Sequence, residues 1–241
     1  MKKVGIIGYG RFGVVLADLF SKKYKVLIND SNPDKNENVE YSSLEETLEC
    51  FLVFIAVPIN SFETVIQEIA KYTLYNTTIV DVCSVKVYPV DIMEEYLPKH
   101  VGIIASHPHF GPDSYTPFRE LKTTLCKVRD TYKRFNELKE FFESQSIRII
   151  KMTPDEHDRM AASSQGITHF IGRVLNESGV RSTDINTLGF NGLLGVIEQT
   201  CNDSWDLFKD LQKYNPYTNE MIDNLVETIE NLHSQIKKDA N

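Results

Sequence analysis

The chain has 241 residues, of which 41% are apolar and 25% charged, and its formal net charge is −8. That length suits one large domain or two modest ones, and the composition excludes wholesale disorder. The acidic balance excludes a nucleic-acid backbone as the main partner, because counterion release needs clustered Lys and Arg.

From the N-terminus, short β-branched runs alternate with helical patterns. Strands are predicted at 4–7, 25–29, 51–57, 77–82, 101–105, 123–128 and 147–152. The 51–57 run is apolar throughout, as a strand covered on both faces must be. Helices at 12–22, 61–72, 89–97 and 131–144 fill the gaps, and residues 29–38 read as a polar loop. Alternating β and α implies a doubly wound, mostly parallel sheet over residues 1–152. At Thr153 the pattern changes. Thr153 suits a cap, Pro154 the first helical position, and Glu156 completes a capping box. Residues 153–241 carry no strand pattern and read as an all-helical second domain, with helices at 154–177, 191–213 and 219–237.

The four cysteines (Cys50, Cys83, Cys126, Cys201) form no CxxC pair, which fits a reducing compartment. The opening MKKVGIIGYG has too short an apolar stretch for a signal peptide. No run approaches the roughly 18–20 apolar residues of a membrane span. The expectation is a soluble, cytoplasmic protein with no membrane partner.

Four motifs carry chemistry. In the first, Gly8-Tyr9-Gly10-Arg11-Phe12-Gly13 follows a strand and opens a helix. Gly8 permits the tight turn, Gly10 a close approach to a pyrophosphate, and Gly13 close helix–strand packing. The free N–H groups of the helix start then hold the phosphates. Asp30, 17 residues past Gly13, stands at the end of the second strand with Ser31 beside it. A carboxylate there accepts both ribose hydroxyls of NAD and repels a 2′-phosphate, so NAD is expected ahead of NADP. Val57 and Pro58, where the third strand ends, join the expected cofactor set. The sheet is therefore read as Rossmann-type.

The second motif, Asp81-Val82-Cys83-Ser84-Val85-Lys86, follows the fourth strand at the edge where such sheets bind ligands. Ser84 is placed to meet a substrate hydroxyl and Lys86 a carboxylate, against the alternative of an ordinary capped turn. The third is Ser106-His107-Pro108-His109-Phe110-Gly111-Pro112-Asp113. His107 ends the fifth strand, and a neutral His there suits a general base for an alcohol losing a hydride. The HxH spacing hints at metal, but no third ligand is visible, so none is assigned. The fourth is a stripe on the long helix, Gln165, His169 and Arg173 at i, i+4, i+8, beside Gly166 and Gly172. It faces either substrate or another helix.

Together these residues resemble the prephenate/arogenate dehydrogenase family, and most closely its short, plant-type arogenate dehydrogenases. The likeness rests on GYGRFG, DVCSVK, SHPHFGPDS and the helix MTPDEHDRMAASSQGITHFIGRVL. STDINTLGF and NDSWDLF continue it, in the same order as the family's motifs and over nearly the whole chain. The resemblance implies a Rossmann domain followed by a helical domain that makes a homodimer. It implies NAD(P)-dependent oxidative decarboxylation of a cyclohexadienol. His107 would take the proton of the ring hydroxyl as hydride leaves, Ser84 would bond that hydroxyl or orient His107, and aromatisation would drive the reaction. Gln165, His169 and Arg173 would line the substrate side.

The chain departs from the pattern in two places. His109 replaces the Met of HPMFG. Gly189-Phe190-Asn191-Gly192 also lacks the carboxylate-binding Arg of longer members, for which Lys86, Arg173 and Lys213 are candidates. Plant-type members carry an acidic residue at the position of Asp203, where prephenate-preferring relatives are neutral. Asp203 is thus expected to meet arogenate's ammonium, against the plainer role of a helix cap. Two other readings stay open. One is a dehydrogenase of another small hydroxy acid. The other is a non-catalytic NAD-binding regulator, which has no need for Ser84, His107 and the helical stripe together.

Overall fold

A computed structural model describes residues 1–32, 39–72, 74–116 and 118–239. Most of the polar stretch expected at 29–38 lies outside the described residues.

All seven expected strands form one sheet: β1 (Lys3–Ile7), β2 (Lys25–Asn29), β3 (Leu52–Ile55), β4 (Thr78–Asp81), β5 (Gly102–Pro108), β6 (Leu121–Arg129) and β7 (Ile147–Lys151). Their order is β2-β1-β3-β4-β5-β6-β7, parallel except where β6 runs antiparallel to β5. The fifth strand runs three residues past the expected end at 105, because β6 pairs with it as far as Pro108. The helices of this unit are α1 (Arg11–Ser21), α2 (Leu44–Leu48), α3 (Ile59–Ile69), α4 (Val87–Tyr96) and α5 (Phe135–Ser144). No helix was expected at α2, although Ser43 and Glu46 form a complete capping box there. The expected helix at 131–144 begins only at Phe135. The Asp130 carboxylate accepts from the Arg134 and Phe135 N–H groups and sets the start.

β3 and β4 are buried at every position, as strands covered on both faces must be. Phe20 anchors the core beneath α1, with ring centroids 4.5 Å from both Phe54 and Phe141. Its removal would forfeit both aromatic pairs as well as the buried area.

The chain divides into two compact units, Met1–His157 and Asp158–Asn241. The division falls inside α6 (Pro154–Ala161), five residues beyond the expected boundary after Met152. The predicted box is present: Glu156 N–H donates to Thr153 Oγ1 (3.2 Å), and Thr153 N–H donates to Glu156 Oε2 (2.8 Å).

In the second unit the expected helix at 154–177 is interrupted by a π-helical turn at Ala162–Gly166 and resumes as α7 (Ile167–Glu177). The helix expected at 191–213 is two, α8 (Leu188–Cys201) and α9 (Trp205–Lys213). The break falls where Ser204 adopts an extended conformation and its Oγ accepts from Leu207 N–H. α10 (Thr218–Asp239) follows. No helix among the described residues is long and apolar enough to cross a membrane.

Candidate active site

In the first unit, strand order lines up the carboxyl ends of β2, β1, β3, β4 and β5. The residues just past them are Asp30, Gly8, Ala56-Val57-Pro58, Ser84 and, within the end of β5, His107. The glycine turn is built as its spacing demands. Gly8 has φ +97°, and a Cβ on it would lie 2.5 Å from the Ala56 carbonyl oxygen. A Cβ on Gly13 would lie 2.2 Å from the Gly8 oxygen, so α1 packs directly on the turn. Around Gly10 there is nothing within 4 Å of such a Cβ, and no side chain caps α1. The N-terminal N–H groups of α1 are thus left for an anion, and these residues fit a dinucleotide pyrophosphate. Phe12 offers only its backbone, since its ring packs on the core and lies 6.2 Å from Phe110. Arg11 is exposed and its Nη2 donates to both oxygens of Asp113, a partner not foreseen from the motif.

Asp30 is fixed by the turn it serves. Its Oδ2 accepts from Tyr9 N–H (2.6 Å) and its Oδ1 from Asn32 N–H (2.8 Å). A carboxylate has about four lone-pair sites, so two remain for ribose hydroxyls. Ser31 and Pro58 are exposed, and Val57 is half-buried against Gly8.

The second motif corrects one expectation. Lys86 does not reach a substrate carboxylate: it is fully buried and paired with the equally buried Asp81. It also donates to the Ser106 carbonyl. Asp81 in turn accepts from Cys83 N–H (3.0 Å) and Ser106 N–H (3.2 Å). Burial pushes the Asp81 carboxyl up, against the pull of Lys86 and these N–H groups. The network locks the loop after β4 to the strand residue preceding His107. Ser84 stays half-buried, with no hydrogen bond to its hydroxyl among the described residues.

His107 is buried, and its Nδ1 lies 2.8 Å from His157 Nε2. Its Nε2 has no partner among the described residues. If Nδ1 carries the proton and donates to His157, Nε2 presents a lone pair. Burial holds His107 well below the usual imidazole value, with His109, His157 and Lys86 adding repulsion. His109, next on the same face of the extended chain, has its Nε2 2.8 Å from Thr124 Oγ1. Burial pushes His109 down to about 4, helped by His157 and by Lys122 and Lys86. His157 is the residue the motif reading missed as a site member. One ring nitrogen from each of His107, His109 and His157 lies within 4.8 Å of the other two, so the third nitrogen donor thought absent is present.

In the second unit, His169 and Arg173 share a face of α7, while Gln165 sits in the π-helical turn and is half-buried. Gly172 serves helix packing: a Cβ there would lie 2.0 Å from Thr200 Oγ1 on α8. The Arg173 guanidinium donates to the carbonyls of Thr200 and Asp203 and lies over the Trp205 and Phe208 rings at 5.4 and 5.5 Å. Its Nε and the His169 Nδ1 are buried without a hydrogen-bond partner. Such orphans are uncommon in native proteins, where a water, an ion or a ligand usually meets them. Burial lowers His169, opposed by Asp203, whose Oδ2 is 3.9 Å from its Nδ1. Asp203 does not cap α9, because Ser204 does. Lys213 is exposed beside Tyr214.

A family model described as the prephenate dehydrogenase nucleotide-binding domain matches residues 17–151, and one described as a TYRAAT1-like C-terminal domain matches residues 174–241. Arogenate dehydrogenase 2 (chloroplastic) of Arabidopsis thaliana is 31% identical, over 97% of this chain and 70% of its own length. Arogenate dehydrogenase 1 (chloroplastic) of the same plant is 32% identical over 97% of this chain but only 39% of its own length. A probable arogenate/prephenate dehydrogenase of Methanocaldococcus jannaschii is 26% identical over 91% of this chain, which spans 53% of that relative. Among solved structures, prephenate dehydrogenase from A. aeolicus in complex with hydroxyphenyl propionate and NAD+ superposes with a TM-score of 0.78 at 20% identity. It covers 100% of this chain and 92% of its own. Synechocystis arogenate dehydrogenase gives a TM-score of 0.73 at 18% identity, covering 98% and 92%. At such identities the two structures share the fold.

Proposed function

The chain belongs to the prephenate/arogenate dehydrogenase family of NAD(P)-dependent oxidoreductases, and from that premise we propose that it oxidatively decarboxylates arogenate, in preference to prephenate, as a step of tyrosine biosynthesis. The observation that carries this reading is His107, buried and neutral on the same sheet edge as the glycine turn, with Nδ1 engaged by His157 and Nε2 unclaimed. His107 Nε2 takes the proton of the ring hydroxyl, and His157 holds the imidazole in the tautomer that can accept it. The Ser84 hydroxyl bonds the same oxygen. The nicotinamide dinucleotide, when bound, accepts the hydride from the carbinol carbon. The substrate's ring carboxylate leaves as carbon dioxide, the electrons of its C–C bond enter the ring to give a phenolate, and the proton held at His107 Nε2 returns to that oxygen to give the phenol. The test is NADH or NADPH formation with arogenate and prephenate assayed in parallel; no turnover of either overturns the reading.

NAD is the preferred cofactor in this reading, because the fixed Asp30 carboxylate opposes a 2′-phosphate as a like charge. The Asp30→Ser variant is expected to narrow or reverse the preference, read from the ratio of kcat/KM for the two cofactors. Equal or better use of NADP+ by the unmodified chain defeats the assignment.

Gln165, His169, Arg173 and Asp203 are the substrate-binding set, supported by the two orphaned nitrogens on His169 and Arg173. Arogenate differs from prephenate in carrying an ammonium, and Asp203 is the anion proposed to receive it. A hydrogen bond to a charged group contributes about 1.5–3 kcal/mol, or roughly 10- to 150-fold. Asp203→Asn is therefore expected to weaken arogenate use by about that factor and to spare or improve prephenate use. Equal losses on both substrates would remove Asp203 from recognition.

The chain is proposed to act as a cytoplasmic homodimer. Four free cysteines fit a reducing compartment. On α10, Val226, Ile229, Leu232 and Ile236 form an exposed stripe at helical spacing. Sedimentation of the protein as a monomer at micromolar concentration would count against the dimer.

A further inference from the structure

We propose that His107, His109 and His157 form a site for one divalent transition-metal ion of borderline softness, such as Zn2+, and that the ion switches the active site off. Three imidazoles converge here from two separate elements. His107 and His109 sit two residues apart on one face of extended chain, with ring centroids 4.4 Å apart. The His109 N–H continues the ladder to the Lys122 carbonyl, which keeps that segment extended. His157 comes from the first turn of α6 and lies 5.0 and 6.1 Å, centroid to centroid, from the other two rings. One nitrogen of each is within 4.8 Å of the rest.

A tetrahedral ion with Zn–N bonds of about 2.0–2.1 Å needs its ligand nitrogens about 3.3 Å apart. The His107–His157 pair, at 2.8 Å, must open by roughly half an ångström, and the partly exposed His109 ring must swing in. Each of the three imidazoles offers one ring nitrogen as a ligand atom, and metal ligation uses that nitrogen in its deprotonated form. An all-imidazole set with no carboxylate selects Zn2+, Co2+ or Ni2+ over Mg2+ or Ca2+. It leaves a fourth coordination position for water.

The switch follows from the tautomer and rests on the reading of His107 as base. A neutral imidazole has one lone pair in the ring plane and one N–H. The ion takes the lone pair at Nδ1, the nitrogen facing His157, so the proton resides on Nε2. That nitrogen then donates and no longer accepts, and the substrate hydroxyl loses its base.

The test begins without substrate, so that it stands apart from the proposed activity. Protein stripped with a chelator is titrated with Zn2+ by calorimetry and with Co2+ by its visible d–d absorption. One ion per chain is expected, with no response to Mg2+. His109→Met and, on the other element, His157→Gln should each weaken binding by more than about 100-fold, since even an outer-shell change costs about 10- to 100-fold. His233→Ala, on the exposed face of α10, should change nothing. Absence of a 1:1 complex, or one that survives His109→Met, overturns the site. In the second arm, stoichiometric Zn2+ should abolish NAD(P)H formation reversibly, while His109→Met resists it relative to its own metal-free rate. Zn2+ bound at one per chain without inhibition overturns the switch.

Discussion

Replacing His107 with Asn is expected to leave cofactor binding intact and to lower kcat/KM by about 10²–10⁴-fold, the usual cost of losing a general base. Asn keeps a side chain of similar reach but accepts no proton at any working pH. The pH profile provides a second reading of the same group. Burial, with the neighbouring His109, His157 and Lys86, holds the pKa of His107 well below 6.5. Only the neutral ring accepts a proton, so kcat/KM of the metal-free enzyme should stay level as pH falls past 6.5. It should then decline only on passing through the depressed value. Measurements belong in a chelating buffer, with cofactor affinity followed separately by NADH fluorescence. Near-normal turnover in the variant, or an acid limb at 6.5 or above, would show that another group is the base.

The second large effect concerns the buried pair beneath the site. Lys86→Met is expected to destabilise the fold by about 3–5 kcal/mol, because it leaves the Asp81 carboxylate buried without its counter-ion. The Cys83 and Ser106 N–H groups still reach Asp81, but two hydrogen bonds do not replace a charge. Burial already raises the Asp81 pKa, and loss of the ammonium raises it further. A carboxyl whose folded pKa exceeds its unfolded one binds its proton more tightly in the native state. Stability is then lost as pH rises through the folded value. The gap between Lys86→Met and the parent should therefore be widest at neutral pH and shrink in acid. Urea denaturation measures it. Adding Asp81→Leu should recover much of the loss, since replacing both partners removes the stranded charge. A single variant within about 1 kcal/mol of the parent at neutral pH would mean the pair is not buried as described.

The sequence by itself determined the features whose causes lie within a few residues of one another. The seven strands are legible because β-branched runs of the right length alternate with helical periodicity. Gly8 and Gly13 announce their turn because only glycine suits the positive φ of the first and the close contacts of both. The capping box at Thr153 and Glu156 is local in the same way, as is the one missed at Ser43 and Glu46.

Tertiary structure alone decided which distant groups meet. Lys86 reads as a free cation in its motif, but the pairing of β4 with β5 closes over it and gives it to Asp81 and the Ser106 carbonyl. His157 reads as one more polar residue at a helix start. Nothing in its neighbours says that, 50 residues after His107, it returns to within hydrogen-bonding distance. Likewise Gly172 is reserved for Thr200 on another helix. Periodicity and caps record the energetics of a single turn or strand. Burial of a charge and the meeting of three imidazoles depend on strand order and helix packing, which no short stretch of sequence encodes.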